Sequence, residues 1–186
     1  MDRFMIHLRN SGYSPTDAQT LLKKADNLSS GMNVIIRDMR VSTKYLEFDT
    51  SVAQQELDML VDKLSPLGVL DHARRVVEEE IDRETAICMA IQYFNDERFW
   101  ECHEVLEGVW KKTFEGEKDL VQGIILVAAA LVHYQKNEDD ICLSIMKRAM
   151  EKLSNVEGMY HGINIDKFRQ TVTEIISSKK IKPIKI

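Results

Sequence analysis

Cysteine is scarce and odd in number: Cys88, Cys102 and Cys142 are the only three in 186 residues, and none forms a C-x-x-C pair. A disulfide framework and a cysteine-rich zinc site are thereby disfavoured, and reduced, mostly buried thiols in a cytoplasmic protein are expected. Three prolines and eight glycines are too few for a collagen-like chain or a loop-dominated sandwich. Positive charge is not in excess either. Twenty-five basic residues stand against 30 acidic ones, a net charge of −5, so no global field draws the chain to nucleic acid or anionic lipid. Long apolar runs are missing: the stretch Gly123 to Val132, between Gln122 and His133, falls well short of the ~20 residues a spanning helix needs, and no membrane association is expected. The opening Met1-Asp2-Arg3 lacks the basic, apolar and small-residue order of a secretory signal. G-x-G-x-x-G, G-x-x-x-x-G-K-[ST] and G-x-S-x-G are all absent, which leaves nucleotide-binding and serine-hydrolase readings without support.

What is present is the balance of a soluble globular protein, 44% apolar and 30% charged, with nine methionines that read as core filler. In the first eighty residues the period changes several times. Phe4, Ile6 and Leu8 alternate with Met5, His7 and Arg9, as in a half-buried strand. Ser14-Pro15 sets a cap before a proline at the first helical position, and Ala18, Leu21, Leu22, Ala25 and Leu28 follow at helical spacing until Gly31. Residues 33–40 and 44–49 read as a strand pair around Val41-Ser42-Thr43. Thr50 or Ser51 then caps a helix through Val52, Leu57, Leu60, Val61 and Leu64, ended by Pro66 and Gly68. Residues 69–77 form a last strand, unless Arg74 to Val77 join the helix that follows. The order is β-α-β-β-α-β, the ferredoxin-like arrangement, with Phe4, Ile6, Leu8, Val34, Ile36, Leu46 and Phe48 facing two helices. The other face would show His7, Arg9, Arg37, Lys44, His72 and Arg74, read as solvated or as a dimer interface. Tyr45 is the one aromatic near these basic residues, too few for an RNA-stacking sheet, so nucleic acid is the least favoured partner.

From about Glu78 the period is helical, over roughly 82–95, 98–114, 118–135, 139–153 and 166–178, with links short enough to force antiparallel neighbours. His161-Gly162 reads as a turn, and the lysine-rich end as a frayed tail. The expected architecture is therefore α+β: a ferredoxin-like domain at 1–80, an all-α helical-hairpin bundle at 81–178, and a basic tail at 179–186.

One helix mixes chemistry with its apolar face. In Trp100-Glu101-Cys102-His103-Glu104-Val105-Leu106-Glu107-Gly108-Val109-Trp110, a wheel at ~100° per residue sets His103 and Glu107 between Trp110 and Trp100. Read as one broad apolar arc, this places both groups inside it, with Glu101 and Glu104 outside or at its edge. A carboxylate there requires a partner, a proton or a cation. The next helix offers Gln122, Leu126, Ala129 and His133 on one stripe, and antiparallel pairing brings His133 within about one turn of His103. Three readings stay open. The pair is a buried His–Glu hydrogen bond that fixes helix register. Or His103, Glu107 and His133 ligate a divalent metal, with Glu104 as the general base of a hydrolase, since His103-Glu104-x-x-Glu107 is similar to a zincin helix whose second histidine is glutamate. Or Trp100, His103, Glu107, Trp110, Gln122, His133 and Tyr134 line a small-ligand pocket.

Phe94-Asn95, the Trp100–Trp110 segment and Gln122-Gly123-x-Ile-x-x-Ala-Ala-x-x-x-His133 together resemble domain-of-unknown-function family 309, helical proteins marked by E-x-H-E-x-x-E-x-x-W. The resemblance runs over roughly 84–168. It implies a helical fold and marks Glu101, His103, Glu104, Glu107, Trp110, Gln122, Gly123 and His133, but implies no activity. Where members of the family tend to carry a glycine-asparagine turn after His133, this chain has Lys136-Asn137-Glu138. The expected function is accordingly a non-enzymatic cytosolic binding or assembly module, with self-association as one form of it. A divalent-metal hydrolase and a nucleic-acid binder are the alternatives.

Overall fold

Alternating side chains in the first segment produce a strand whose two faces differ in chemistry. In the computed structural model, which describes residues 1–77 and 80–186, β1 spans Asp2–Arg9; it turns Phe4, Ile6 and Leu8 to one side and Met5 and His7 to the other. All five are buried. A short turn of helix, Pro15–Asp17, precedes α1 (Ala18–Leu28), and Asp17 accepts from the Ser14 backbone N–H at 2.8 Å. Then come β2 (Ile35–Val41), β3 (Tyr45–Val52), α2 (Leu57–Leu64) and β4 (Leu70–Arg75). The sheet order is β2-β3-β1-β4 and every pairing is antiparallel. Phe4, Ile6, Leu8, Met39, Val41, Leu46, Phe48 and Val52 pack with Leu21, Ala25, Leu60 and Leu64 of the helices into one core, while Val34 and Ile36 lie half-buried at its margin.

Two boundaries differ from the sequence expectation. Thr50 and Ser51 do not cap a helix. They lie inside β3, opposite Phe4 and Arg3, because β-branched Thr50 and Val52 fit a paired strand and Val52 is needed in the core. The helix starts only after a turn at Gln54–Glu56. Arg74 and Arg75 lie in β4, opposite Met5 and Phe4, as the strand reading of 69–77 expects. Gly68 admits the return of the chain to β1: a Cβ there would stand 2.7 Å from the Arg9 carbonyl oxygen.

The remaining elements are α3 (Arg83–Asn95), α4 (Phe99–Lys111), α5 (Glu115–Tyr134), α6 (Asp139–Leu153), the two-residue strands β5 (Met159–Tyr160) and β6 (Ile163–Asn164), and α7 (Ile165–Ser178). The change of period placed at Glu78 lies outside the described residues. Asp82 caps α3 by accepting from the Thr85 N–H at 3.0 Å, and hydrogen bonds from Thr85 hold its carboxyl below the usual carboxylate range. His161 and Gly162, both at positive φ, make the β5–β6 turn. Gly123 lets α5 and α6 approach closely; a Cβ there would meet the Leu153 side chain at 2.5 Å. The lysine-rich end is not frayed. Ile184 is buried, and Asn95 grips Ile186 by both backbone groups at 2.9 Å, so the alternating isoleucines find apolar cover while the lysines face outward. The chain divides into two compact units, Met1–Glu79 with Gln135–Asn137, and Glu80–Tyr134 with Glu138–Ile186. Among the described residues no helix is long and apolar enough to cross a membrane.

Candidate functional site

On α4 the buried residues are Phe99, Glu101, Cys102, Leu106 and Val109. At about 100° per residue they sweep an arc of about 160° whose two ends are Phe99 and Glu101. The arc thus extends away from His103 and Glu107, not through them. The two tryptophans misled the wheel: both are only half-buried, as large amphipathic rings commonly are, so the sector between them is not a buried one. Glu101 is 2% exposed, whereas the side chains of His103, Glu104 and Glu107 are 25%, 44% and 47% exposed. The costly carboxylate of the motif is therefore Glu101.

Its charge is met from the preceding turn. Arg98 donates from Nε and Nη2 to the two Glu101 oxygens, each at 2.5 Å, and lies over the Tyr93 ring at 4.4 Å. On the open side of the helix, His103 Nδ1 stands 3.3 Å from Glu104 and its Nε2 3.4 Å from Glu107. One donor atom from each of these three lies within 4.8 Å of the other two. His133 is not a member of that group; its Nδ1 lies 2.5 Å from the Glu138 carboxylate. The structure thus assembles His103 with Glu104 and Glu107, and gives His133 a separate partner. Tyr134 is half-buried, and burial, aided by the Asp139 carboxylate, pushes its phenol up. Gln122 is half-buried on α5. The Trp110 ring carries the Lys118 ammonium at 4.7 Å, while its indole N–H is buried with no partner among the described residues. Among the described residues, cavities lie away from this cluster. One of about 340 Å³ is lined by Tyr13, Lys24, Asn27, Leu28, Pro66 and Leu67, and one of about 10 Å³ lies among Ile87, Ala90, Leu106, Tyr160 and Ile186.

A second constellation was not foreseen. The face of the sheet expected to be solvated is buried where it is most polar. Arg40, Glu47, His7 and His72 form one transverse row across β2, β3, β1 and β4, set by the pairings Arg40↔Glu47, His7↔Glu47 and His7↔His72. His7 is 0% exposed and its Nε2 lies 2.9 Å from Glu47. Arg40 donates from Nε to the other Glu47 oxygen. His7 and His72 stack at 4.3 Å, with the Tyr45 edge against both rings, so Tyr45 faces the same side as Glu47 and the histidines. Beside the row, Arg3 holds Asp49 with two hydrogen bonds of 2.9 and 2.6 Å. Arg9, Arg37 and Lys44 remain exposed. The sequence signal was available in principle: Arg40, Glu47 and Asp49 alternate with Met39, Val41, Leu46 and Phe48. Alternation alone marks the polar side as the wet side, and here it is not.

Comparison with known proteins finds little function. Residues 87–145 match the model of a domain of unknown function (DUF309). This segment holds every marked position from Glu101 to His133. An uncharacterized protein of Aquifex aeolicus (strain VF5) is 29% identical over 115 residues, 60% of this chain; the match spans 34% of that longer protein. The crystal structure of a conserved hypothetical protein from Thermus thermophilus is 27% identical, with a TM-score of 0.42 over 48% of this chain and 93% of that one.

Proposed function

We propose that this chain is a non-enzymatic binding or assembly module of the cytoplasm, and that most of the signature on α4 and α5 serves to build it. The observation that carries the reading is the fork of Arg98 on Glu101. The motif's one buried acid is neutralised by its own helix turn, which is what a structural charge requires. His133 is similarly engaged by Glu138. Contact with a partner is offered instead by Phe114, 88% exposed ahead of α5, an aromatic side chain of the kind that anchors interfaces. A second copy of the chain is the partner we favour.

Strand order 4-1-3-2 with two helices on one face supports a ferredoxin-like N-terminal domain over 1–80, followed by a helical-hairpin bundle over 81–178 and the tail 179–186. A nucleic-acid role for the sheet is not favoured, since its central His7, Arg40 and Glu47 are buried and engaged with each other.

Two measurements test the reading together. Sedimentation velocity over a concentration series is expected to show self-association that Phe114→Ala weakens without lowering the melting temperature. A hydrolase screen with added divalent metals is expected to show no turnover that depends on His103. Turnover abolished by His103→Ala, or a monomer at every concentration, would defeat this proposal.

A further inference from the structure

We infer that the outer edge of β4 is a self-association surface, on which a second copy of the chain pairs antiparallel about a two-fold axis at Ala73. This deepens the assembly reading and rests on it, but it names a surface other than Phe114. β4 ends the sheet order, and among the described residues no strand pairs with its outer side. The β1 pairing determines which backbone groups face that side. Val76 donates its N–H to the Arg3 carbonyl, and Arg74 and His72 follow in the same phase opposite Met5 and His7. The N–H and C=O groups of the intervening Ala73 and of Arg75 therefore point outward. Both residues are exposed. So is Asp71, which the register shift between His7 and Leu8 leaves as the extra residue of a bulge. An open strand edge of this kind is a template for another strand.

The charges on this edge select both the partner and the register. Edges protected against pairing carry charge that repels a copy of themselves. Here one acid and one base flank Ala73 symmetrically, Asp71 two residues before it and Arg75 two residues after. Antiparallel pairing centred on Ala73 sets each Asp71 opposite the Arg75 of the other copy, so one two-fold yields two cross-strand pairs of opposite charge. Asp71 accepts from Arg9 at 3.1 Å and Asp2 accepts from Arg75 at 2.5 Å. Across the contact the charges then alternate, from Arg9 to Asp71 and on to Arg75 and Asp2 of the second copy. A register moved toward Arg75 sets Arg74 against itself, and one moved toward Asp71 leaves both charges unmatched. Apolar groups agree with the same centre: the exposed Val77 of one copy falls beside the exposed Val69 and Leu70 of the other.

The test is sedimentation velocity of the full chain over a concentration series, with charge exchanges at the two positions. Asp71→Arg and Arg75→Asp each set like charges opposite one another twice, and each should weaken association by about tenfold. Combined, they restore opposite charges between copies and should recover most of that loss. Within one chain the combination is worse than either change alone, because Asp71→Arg opposes Arg9 and Arg75→Asp opposes Asp2. Recovery can thus arise only between copies. Ala73→Pro removes an N–H on the open side of an edge strand, where proline is tolerated, and should abolish the pairing with an unaltered circular dichroism spectrum. Association that Phe114→Ala weakens, but that Ala73→Pro and both charge variants leave unchanged, would overturn the β4 assignment and leave the assembly reading standing. A double variant as weak as its singles would overturn the assignment too. A monomer at every concentration would defeat both.

Discussion

The sheet unit and the helical unit both bury ionisable groups, but they bury different kinds. Across the sheet the buried groups are partnered: Arg40 with Glu47, Glu47 with His7, and Asp49 with the half-exposed Arg3. In the helical unit, apart from the Asp82 cap that Thr85 holds low, the groups with resolved shifts are acids that burial keeps protonated. The Cys102 thiol is pushed far up by desolvation, the Cys142 thiol to about 12, and the phenols of Tyr134 and Tyr160 upward as well. Glu101 with Arg98 is the helical exception. A buried pair of charges is stable only while both members stay, whereas a buried neutral acid costs nothing until the pH tries to ionise it. The two units should therefore fail in different ways.

The largest expected effect comes from splitting the sheet pair. Glu47→Ala leaves the Arg40 guanidinium and the His7 imidazole buried without the carboxylate that joins them, a loss of about 3–5 kcal/mol. Urea unfolding of the isolated variant measures it. The comparison is sharpened by Arg40→Met with Glu47→Leu, which removes both charges and should recover most of that loss. If the double replacement is as damaging as Glu47→Ala, the row is held by more than the compensation of charge.

Alkali should find the helical unit instead. The ordinary thiol value is 9.0, and the folded values of Cys102 and Cys142 lie above it. Between the two the unfolded chain releases its protons while the folded chain retains them, so stability is complete below pH 9.0 and falls as the pH rises. Each thiol contributes a slope of about 1.4 kcal/mol per pH unit in that window. Near-ultraviolet circular dichroism of Trp100 and Trp110, both in the helical unit, reports it. Cys102→Ala should flatten the slope; a profile as steep as wild type would show that the thiol is not what the alkali titrates.

Much of this layout was legible before the structure. The helices of the second unit were placed within a few residues, because five amphipathic stretches separated by short polar links leave few alternatives. The sheet core of Phe4, Ile6, Leu8, Leu46 and Phe48 was legible for the same reason, since period-two alternation specifies which side packs. What escaped was the reading of polar positions. Alternation identifies Glu47 and His7 as the non-core side but carries no information on whether that side is wet. The wheel of α4 went astray for a related reason: it treated Trp100 and Trp110 as interior, and so exchanged the buried Glu101 for the exposed Glu107. The Arg98–Glu101 fork was the available clue, an i,i+3 pair of opposite charge at the start of the helix.

The smallest effect is the most diagnostic for α4. Glu107 is 47% exposed and lies 3.4 Å from His103, so their contact is solvated and weak. Glu107→Gln should change unfolding stability by less than about 0.5 kcal/mol, whereas Glu101→Gln, which leaves Arg98 facing a neutral amide in a buried position, should cost appreciably more. Thermal melts of the two variants at one pH settle the order. An equal loss from both would mean that His103 and Glu107 are held as firmly as Arg98 and Glu101, and the face of α4 would then be structural throughout. The expected inequality leaves His103, Glu104 and Glu107 as polar groups that the fold can do without, on a face that solvent reaches.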